Sequence, residues 1–379
     1  MNAQSEVYEH HGTESDRDRL QILDEDGNVL PGAEEPSLSD EELLAMYEAL
    51  VLARRFDERA ISLQRQGRIA TYAPMTGQEG SQVATSYALD EDDWLFPTYR
   101  DHAAKHVHGM SLSSLLAPLR GYRDGYSIPD DVNVMPEYIP IATQIPQAMG
   151  MAWGFKLQGQ TDHAVMCHFG DGATSEGDFH EGLNFAGVFD VPVVFVCNNN
   201  QWAISTPRER QTKSETLAEK AHAYGIESVR VDGLDPLAVY RATREAIRKA
   251  KRPGPNEGRP TLIESVQYRF GAHTTSDDPS VYRDGEAAEW YRKRDPVDRL
   301  AGYLDGRGLL TDERETVIEA RVEKRIETAI EEAEAIEAEP DDIFEHVYAE
   351  MPERLERQRE RLRDLREKYG DDAFSEVLE

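Results

Sequence analysis

Cysteine is almost absent: Cys167 and Cys197 are the only two in 379 residues, which excludes a disulfide-stapled scaffold. Long apolar runs are missing too. The longest clear one, VPVVFVC at 191–197, is far short of the roughly 20 residues that span a bilayer. Lysine is scarce, with nine against 33 arginines, and together these 42 bases face 73 acids for a net charge of −31. So acidic a chain repels nucleic acid and anionic membranes, and neither is an expected partner. The opening stretch, MNAQSEVYEHHGTESDRDR, has no apolar targeting core, so the expectation is a soluble, cytoplasmic protein. Many carboxylates with few lysines suit a halophilic surface, because at molar salt the Debye length is only about 3 Å and self-repulsion is screened. A GC-rich genome would also favour arginine.

Residues 1–38 read as a polar arm, with turns at Asp26-Gly27 and Pro31-Gly32. Ser39-Asp40-Glu41-Glu42 is a capping box that opens a helix carrying Leu43, Leu44, Met46, Tyr47, Leu50, Val51 and Phe56. From residue 160 the rhythm changes. AVMCHF (164–169), VPVVFVC (191–197), ESVRVDG (227–233) and TLIESVQYRF (261–270) read as strands, separated by helices to 189, at 216–225 and at 236–252. That alternation predicts an α/β fold: a parallel sheet with helices on both faces. Charged helices with thin apolar stripes fill the last 70 residues. The predicted division is an arm at 1–38, a ligand-binding α/β domain at 39–300 and a helical C-terminal extension at 301–379, whose stripes would pack on a partner.

Gly170-Asp171-Gly172 falls where a strand ends and a helix begins, the edge at which an open α/β sheet holds its ligand. Glycines allow close backbone approach, and a helix N-terminus offers N–H groups to a phosphate. Asn199-Asn200 ends the next strand, so neighbouring parallel strands would bring Asp171 and Asn200 to one edge. A carboxylate, an amide oxygen and a main-chain carbonyl beyond it give Mg²⁺ three hard ligands, which a diphosphate and water would complete.

In these motifs the chain resembles the alpha subunits of thiamine diphosphate-dependent 2-oxo acid dehydrogenases, from about residue 40 to about 365. The resemblance implies a thiamine diphosphate-binding fold and metal ligation by Asp171, Asn200 and the carbonyl of Trp202. It also implies cofactor contacts at Gly170, Gly172 and Ala173. Phe96-Pro97-Thr98-Tyr99-Arg100 matches the segment whose Tyr and Arg hold the diphosphate. The segment IPIATQ (139–144) matches one whose backbone, at Ile139 and Ile141, meets the aminopyrimidine. GAHTTSDDP (271–279) matches the family's active-site loop, where His273 would contact the phosphate side of the cofactor and assist acyl transfer to lipoamide. Thr274, Thr275 and Ser276 are read as ordinary loop hydroxyls, and both cysteines as small buried hydrophobes. Asp178 and Glu181 share a helix face and match an acidic pair proposed to link two cofactor sites. The plain alternative is acids favoured by a helix N-terminus.

The chain shows no second run of strands for a pyrimidine-binding domain, from which this superfamily draws the glutamate that activates the cofactor. The resemblance therefore implies a separate beta chain, an α2β2 heterotetramer, a lipoyl-bearing acyltransferase core and a small 2-oxo acid substrate. NVMPEYIPIATQIPQA (133–148) and DGLDPLAVY (232–240) resemble bacterial pyruvate dehydrogenases, whereas HTTSDDPSVYR (273–283) and HVYAEMPERL (346–355) resemble branched-chain enzymes. Tyr122 stands where bacterial pyruvate enzymes carry a histidine, and Asn198 where some relatives carry an arginine. The expected activity is decarboxylation of pyruvate with acyl transfer to lipoamide. Branched-chain 2-oxo acid or acetoin oxidation, and a non-catalytic assembly role, are the alternatives.

Overall fold

The computed structural model describes residues 19–370, apart from 123–125, 161, 284, 338–339 and 346. Its strands are β1 (Trp94–Phe96), β2 (Val165–Gly170), β3 (Val193–Asn199), β4 (Trp202–Ala203), β5 (Thr206–Pro207), β6 (Glu227–Asp232) and β7 (Thr261–Val266). The helices before the turn at 170–172 are α1 (Asp40–Arg65), α2 (Glu79–Tyr87), α3 (His102–Val107), α4 (Leu112–Leu116) and α5 (Gln144–Leu157). After it come α6 (Gly177–Phe189), α7 (Arg208–Gln211), α8 (Pro236–Lys251), α9 (Glu286–Arg292), α10 (Pro296–Gly306), α11 (Asp312–Glu334), α12 (Asp342–Glu345) and α13 (Glu353–Tyr369).

Five strands form one all-parallel sheet in the order β1-β2-β3-β7-β6, while β4 and β5 make a short antiparallel ribbon. Side chains alternate across the pleat. Val193, Phe195 and Cys197 of β3 enter one core with α5 and α6, and Val194 and Val196 enter the other with α1, α2 and α8. A sheet so covered on both faces explains why its strands read as continuous apolar runs. This is the expected α/β class.

Local chemistry sets the boundaries. Ser39 accepts the Glu42 N–H and Glu42 accepts the Ser39 N–H, closing the expected capping box on α1. The expected helix at 216–225 is instead a 3₁₀ segment, Ala218–Tyr224, ended by Gly225 at φ +67°. The ladder of β7 stops at Val266, four residues before the expected end. The next residues still run beside 199–200, with Gln267 N–H donating to Asn199 O and Arg269 N–H to Asn200 O.

Two expectations need correction. Residues 1–18 of the expected arm lie outside the described residues, but 19–38 are not free of the core: Ile22 and Leu23 are fully buried. Their N–H groups both donate to the Asp235 carboxylate at 2.7 Å, and Leu20 bridges to Val231 of β6. Nor does α11 wait for another chain. Its stripe of Ile318, Val322, Ile326 and Ile330 is buried in the core beside α1 and α10. The chain divides into compact units at Met1–Ala333 and Glu334–Glu379, so α10 straddles the expected boundary at residue 300 within the first unit. Among the described residues no helix is long and apolar enough to cross a membrane.

Candidate functional site

Register builds the site. Gly170 at the end of β2 pairs with Asn198 near the end of β3, so Asp171 and Asn199–Asn200 leave the sheet side by side. A 3₁₀ turn, Asp171–Ser175, then leads into α6. At this carboxyl edge lies a cavity of ≈ 670 Å³. Its wall includes Tyr99, Arg100, Ile139, Ile141, Gly170, Asp171, Gly172, Ala173, Asn200, Trp202 and His273. The residues expected to touch a cofactor or a metal therefore border one space. Asp178 and Glu181 are not in that wall: they lie on α6, with Glu181 exposed, and Glu176 just before the helix is one of the acids that reach it.

The two glycines of the turn serve different ends. A Cβ on Gly172 would stand 2.8 Å from the Ala203 Cβ, so this position is reserved for packing against β4. At Gly170 the backbone is extended (φ −85°, ψ 168°) and nothing lies within 4 Å of an added Cβ, which leaves open space beside the cavity. Strain gathers nearby: Ala142 and Ile204, both in the wall, hold φ of 68° and 56°. Non-glycine residues occupy that region at a cost, more so when β-branched, and such residues cluster at functional sites.

Asp171 is buried, and burial pushes its carboxyl up to about 6 against hydrogen bonds from Gln211 and the main chain of Asn200 and against the charge of Arg269. Its close side-chain donor is the neutral Gln211 amide, at 2.6 Å. A buried carboxylate so placed is short of positive charge, which a divalent cation would supply. Asn200 is turned by its neighbours, its amide donating to Gln78 at 3.1 Å while its oxygen accepts the Trp202 N–H at 3.2 Å. Among the described residues no cluster of three or more His, Cys, Asp or Glu could hold a metal. A one-carboxylate set suits Mg²⁺, which keeps few protein ligands and takes the rest from phosphate and water.

Also in the wall, Arg100 donates to the carbonyls of Pro74 (2.6 Å) and His273 (2.9 Å). Burial, then the charges of Arg100 and Arg269, press His273 down to about 4, so its ring is neutral at pH 7. Arginine is donor only, so His273 Nδ1, 3.1 Å from Arg100 Nη2, is the accepting nitrogen and Nε2 carries the proton. The expected loop is tied down at several points. His273 N–H and Tyr282 O–H both donate to Asp277, and Arg283 donates to the carbonyls of Arg269, Phe270 and Gly271. Thr275 Oγ1 accepts from Tyr72 N–H, and Ser276 Oγ lies 3.1 Å from Thr71 Oγ1. Cys167 and Cys197 are free, buried thiols whose ionisation burial opposes.

Sequence reading missed Gln78, Gln211 and Arg269. Only Arg269 left a trace, as a full charge at the end of an apolar strand run; it is fully buried and donates to Ile204 O and Tyr282 Oη at 2.8 Å. The glutamines act across the fold and have no local signal.

Residues 47–341 match the family model described as dehydrogenase E1 component. Pyruvate dehydrogenase E1 component subunit alpha of Staphylococcus epidermidis is 44% identical over 351 residues, covering 92% of this chain and 93% of that one. The protein of the same name from Staphylococcus aureus is likewise 44% identical over the same shares. The chain belongs to the dehydrogenase E1 component family.

Proposed function

We propose that this chain is the alpha subunit of a cytoplasmic pyruvate dehydrogenase, an oxidoreductase that decarboxylates pyruvate with thiamine diphosphate and Mg²⁺ and passes the acyl group to lipoamide. The observation that carries the reading is the single cavity bordered by Asp171, Asn200, Tyr99, Arg100 and His273. The similarity to two pyruvate dehydrogenase alpha subunits over nine-tenths of the chain favours pyruvate over longer 2-oxo acids. When bound, thiamine diphosphate supplies a nucleophilic carbon and an electron sink for decarboxylation.

The residues divide the work. Asp171, the Asn200 amide oxygen and the Trp202 carbonyl would hold Mg²⁺, and through it the diphosphate. Tyr99 and Arg100 would take the other side of that anion, with Gly170 leaving room for it. His273, neutral and protonated on Nε2, would offer that proton during acyl transfer to the lipoyl group. Asp178 and Glu181 would serve outside the cavity, as a proton link between sites.

A separate beta chain, in an α2β2 heterotetramer docked to a lipoyl-bearing acyltransferase core, would complete the site. Ile139, Ile141 and Ile204 support this: they border the cavity yet are 68%, 47% and 57% exposed, an apolar rim that suits cover by another chain. The test is co-expression with a beta chain in high salt and measurement of CO₂ release from pyruvate, 3-methyl-2-oxobutanoate and acetoin. Fastest turnover is expected on pyruvate. Preference for the branched acid would transfer the assignment to the branched-chain enzyme, and activity surviving loss of both Asp171 and His273 would leave an assembly role.

A further inference from the structure

One buried histidine has no part in the site as described so far. His168 of β2 is fully buried, the one polar side chain in the AVMCHF run, and burying an imidazole is costly unless its nitrogens are partnered. Its Nδ1 lies 3.3 Å from Asp101 Oδ1, within ion-pair distance but outside hydrogen-bond alignment, and its Nε2 lies 3.2 Å from Thr85 Oγ1; Asn198 Nδ2 donates to the same Asp101 oxygen at 3.4 Å. The hydroxyl hydrogen of Thr85 is directed at the Ser81 carbonyl, 2.7 Å away, which leaves Thr85 Oγ1 as an acceptor. A carboxylate only accepts. Both ring nitrogens thus face acceptors.

The other oxygen of Asp101 closes a turn. Oδ2 accepts the N–H and the O–H of Thr98, each at 2.7 Å, and the Arg100 N–H donates to Thr98 Oγ1 at 3.2 Å. The whole turn, Thr98 to Asp101, lines the cavity wall, with Tyr99 and Arg100 at its centre. Burial pushes the Asp101 carboxyl up, but the nearby His168 and the bonds from Thr98 outweigh it and hold the group below its ordinary range.

We infer that His168 is a positioning residue: by anchoring Asp101 Oδ1 it fixes the Thr98–Asp101 turn and so presents Tyr99 and Arg100 to an anionic ligand. It touches neither the cavity nor the reacting atoms, and acts through Asp101. The inference rests on the cavity being a thiamine diphosphate site, and the test separates the two.

The complex with the beta chain, wild type and with His168→Leu, His168→Gln or His168→Asn, is titrated with thiamine diphosphate and Mg²⁺ by calorimetry and assayed at saturating cofactor. Asparagine places an amide N–H near Nδ1 and keeps a polar contact with Asp101, whereas glutamine reaches toward Thr85 and leucine donates to neither. Loss of the close polar contact to a buried carboxylate predicts a Kd raised about tenfold or more for Leu and Gln, with Asn within about threefold of wild type and kcat within about twofold throughout. If the Leu variant does not assemble, the Asn and Gln pair decides. Equal binding by wild type and Gln, an Asn variant as weak as Gln, or a Gln variant that unfolds the chain would each overturn the inference. A wild-type complex that binds no thiamine diphosphate would instead sink the reading of the cavity.

Discussion

The Arg100 guanidinium lies 3.1 Å from His273 Nδ1 and donates to the main-chain carbonyl of the same residue at 2.9 Å. One cation therefore fixes both the loop backbone and the protonation state of its histidine. Burial and the charges of Arg100 and Arg269 bring His273 to about 4, against 6.5 in an unfolded chain. Between those values the unfolded chain binds a proton that the folded chain refuses, so stability is full above pH 6.5 and declines as pH falls toward 4. His273→Asn removes that uptake. Melting temperatures of the cofactor-free complex should then fall less steeply with pH for the variant than for wild type. His102, His106 and His108, whose burial also lowers them, are present in both proteins and cancel in the comparison. Identical slopes would show that His273 titrates like a free histidine.

Asp171→Ala should abolish binding of thiamine diphosphate by the complex. It removes the only carboxylate of the proposed ligand set, and amide and carbonyl oxygens alone hold Mg²⁺ poorly. Calorimetry in excess Mg²⁺ is the measurement, with melting temperature as a check that the fold survives. Folding should survive, because the variant deletes a buried carboxylate whose ionisation burial already opposes. Unchanged binding by a folded Asp171→Ala complex would remove the metal from this site.

The glycines of the same turn make an opposed pair. Gly172→Ala should destabilise the folded chain by about 1–3 kcal/mol, since its Cβ would stand 2.8 Å from the Ala203 Cβ, closer than two carbons can pack. Gly170→Ala should leave stability nearly unchanged, because the added methyl meets nothing and the extended backbone accepts any residue. It should nonetheless weaken cofactor binding, as the methyl occupies room at the cavity wall. Urea unfolding and calorimetry on both variants would show the two effects separating. A Gly170→Ala chain that binds as wild type does would mean that no ligand group approaches that backbone.

Why Asp171 and Asn200 could be paired from sequence is a matter of period and register. Parallel strands in register end at one edge, and both strands were visible as apolar runs bounded by a turn and a polar pair. The capping box of α1 was equally legible, because its two hydrogen bonds span only Ser39 to Glu42. Long-range partnerships were not. Ile22 and Leu23 sit in a polar stretch with no period, and their burial depends on Asp235, more than two hundred residues away. Asp178 and Glu181 were legible as neighbours on the helix after the glycine turn, but the 3₁₀ turn from Asp171 to Ser175, which sets Glu176 in the cavity wall and these two acids beyond it, had no sequence signal.

That remote anchor makes a strong prediction at Arg299. Fully buried on α10, Arg299 pairs with Asp232 at 3.0 Å and lies 3.8 Å from Asp235, while donating to the carbonyls of Leu23 and Asp24. Asp235 in turn caps α8 through the N–H groups of Leu237 and Ala238. Removing one partner of a buried pair leaves the other charge uncompensated, so Arg299→Met should cost about 3–5 kcal/mol in urea unfolding. Adding Asp232→Asn to that variant should recover part of the loss, which simple loss of packing would not allow. A full additive loss in the double variant would show that the pair contributes through shape alone.

Salt sets two electrostatic effects against each other. A net charge of −31 repels itself, and at about 1 M salt, where the Debye length is near 3 Å, that repulsion is screened. Exposed ion pairs such as Arg244–Asp90 and Arg248–Glu245 are screened as well, but such pairs contribute little to stability. Repulsion among the excess acids should dominate, so the urea midpoint should rise from dilute buffer to molar KCl. KCl is the informative salt, because sulfate would strengthen apolar burial in any protein. A midpoint that stayed level or fell would mean that the surface pairs matter more than the excess charge, and that the scarcity of lysine reflects base composition and not adaptation to salt.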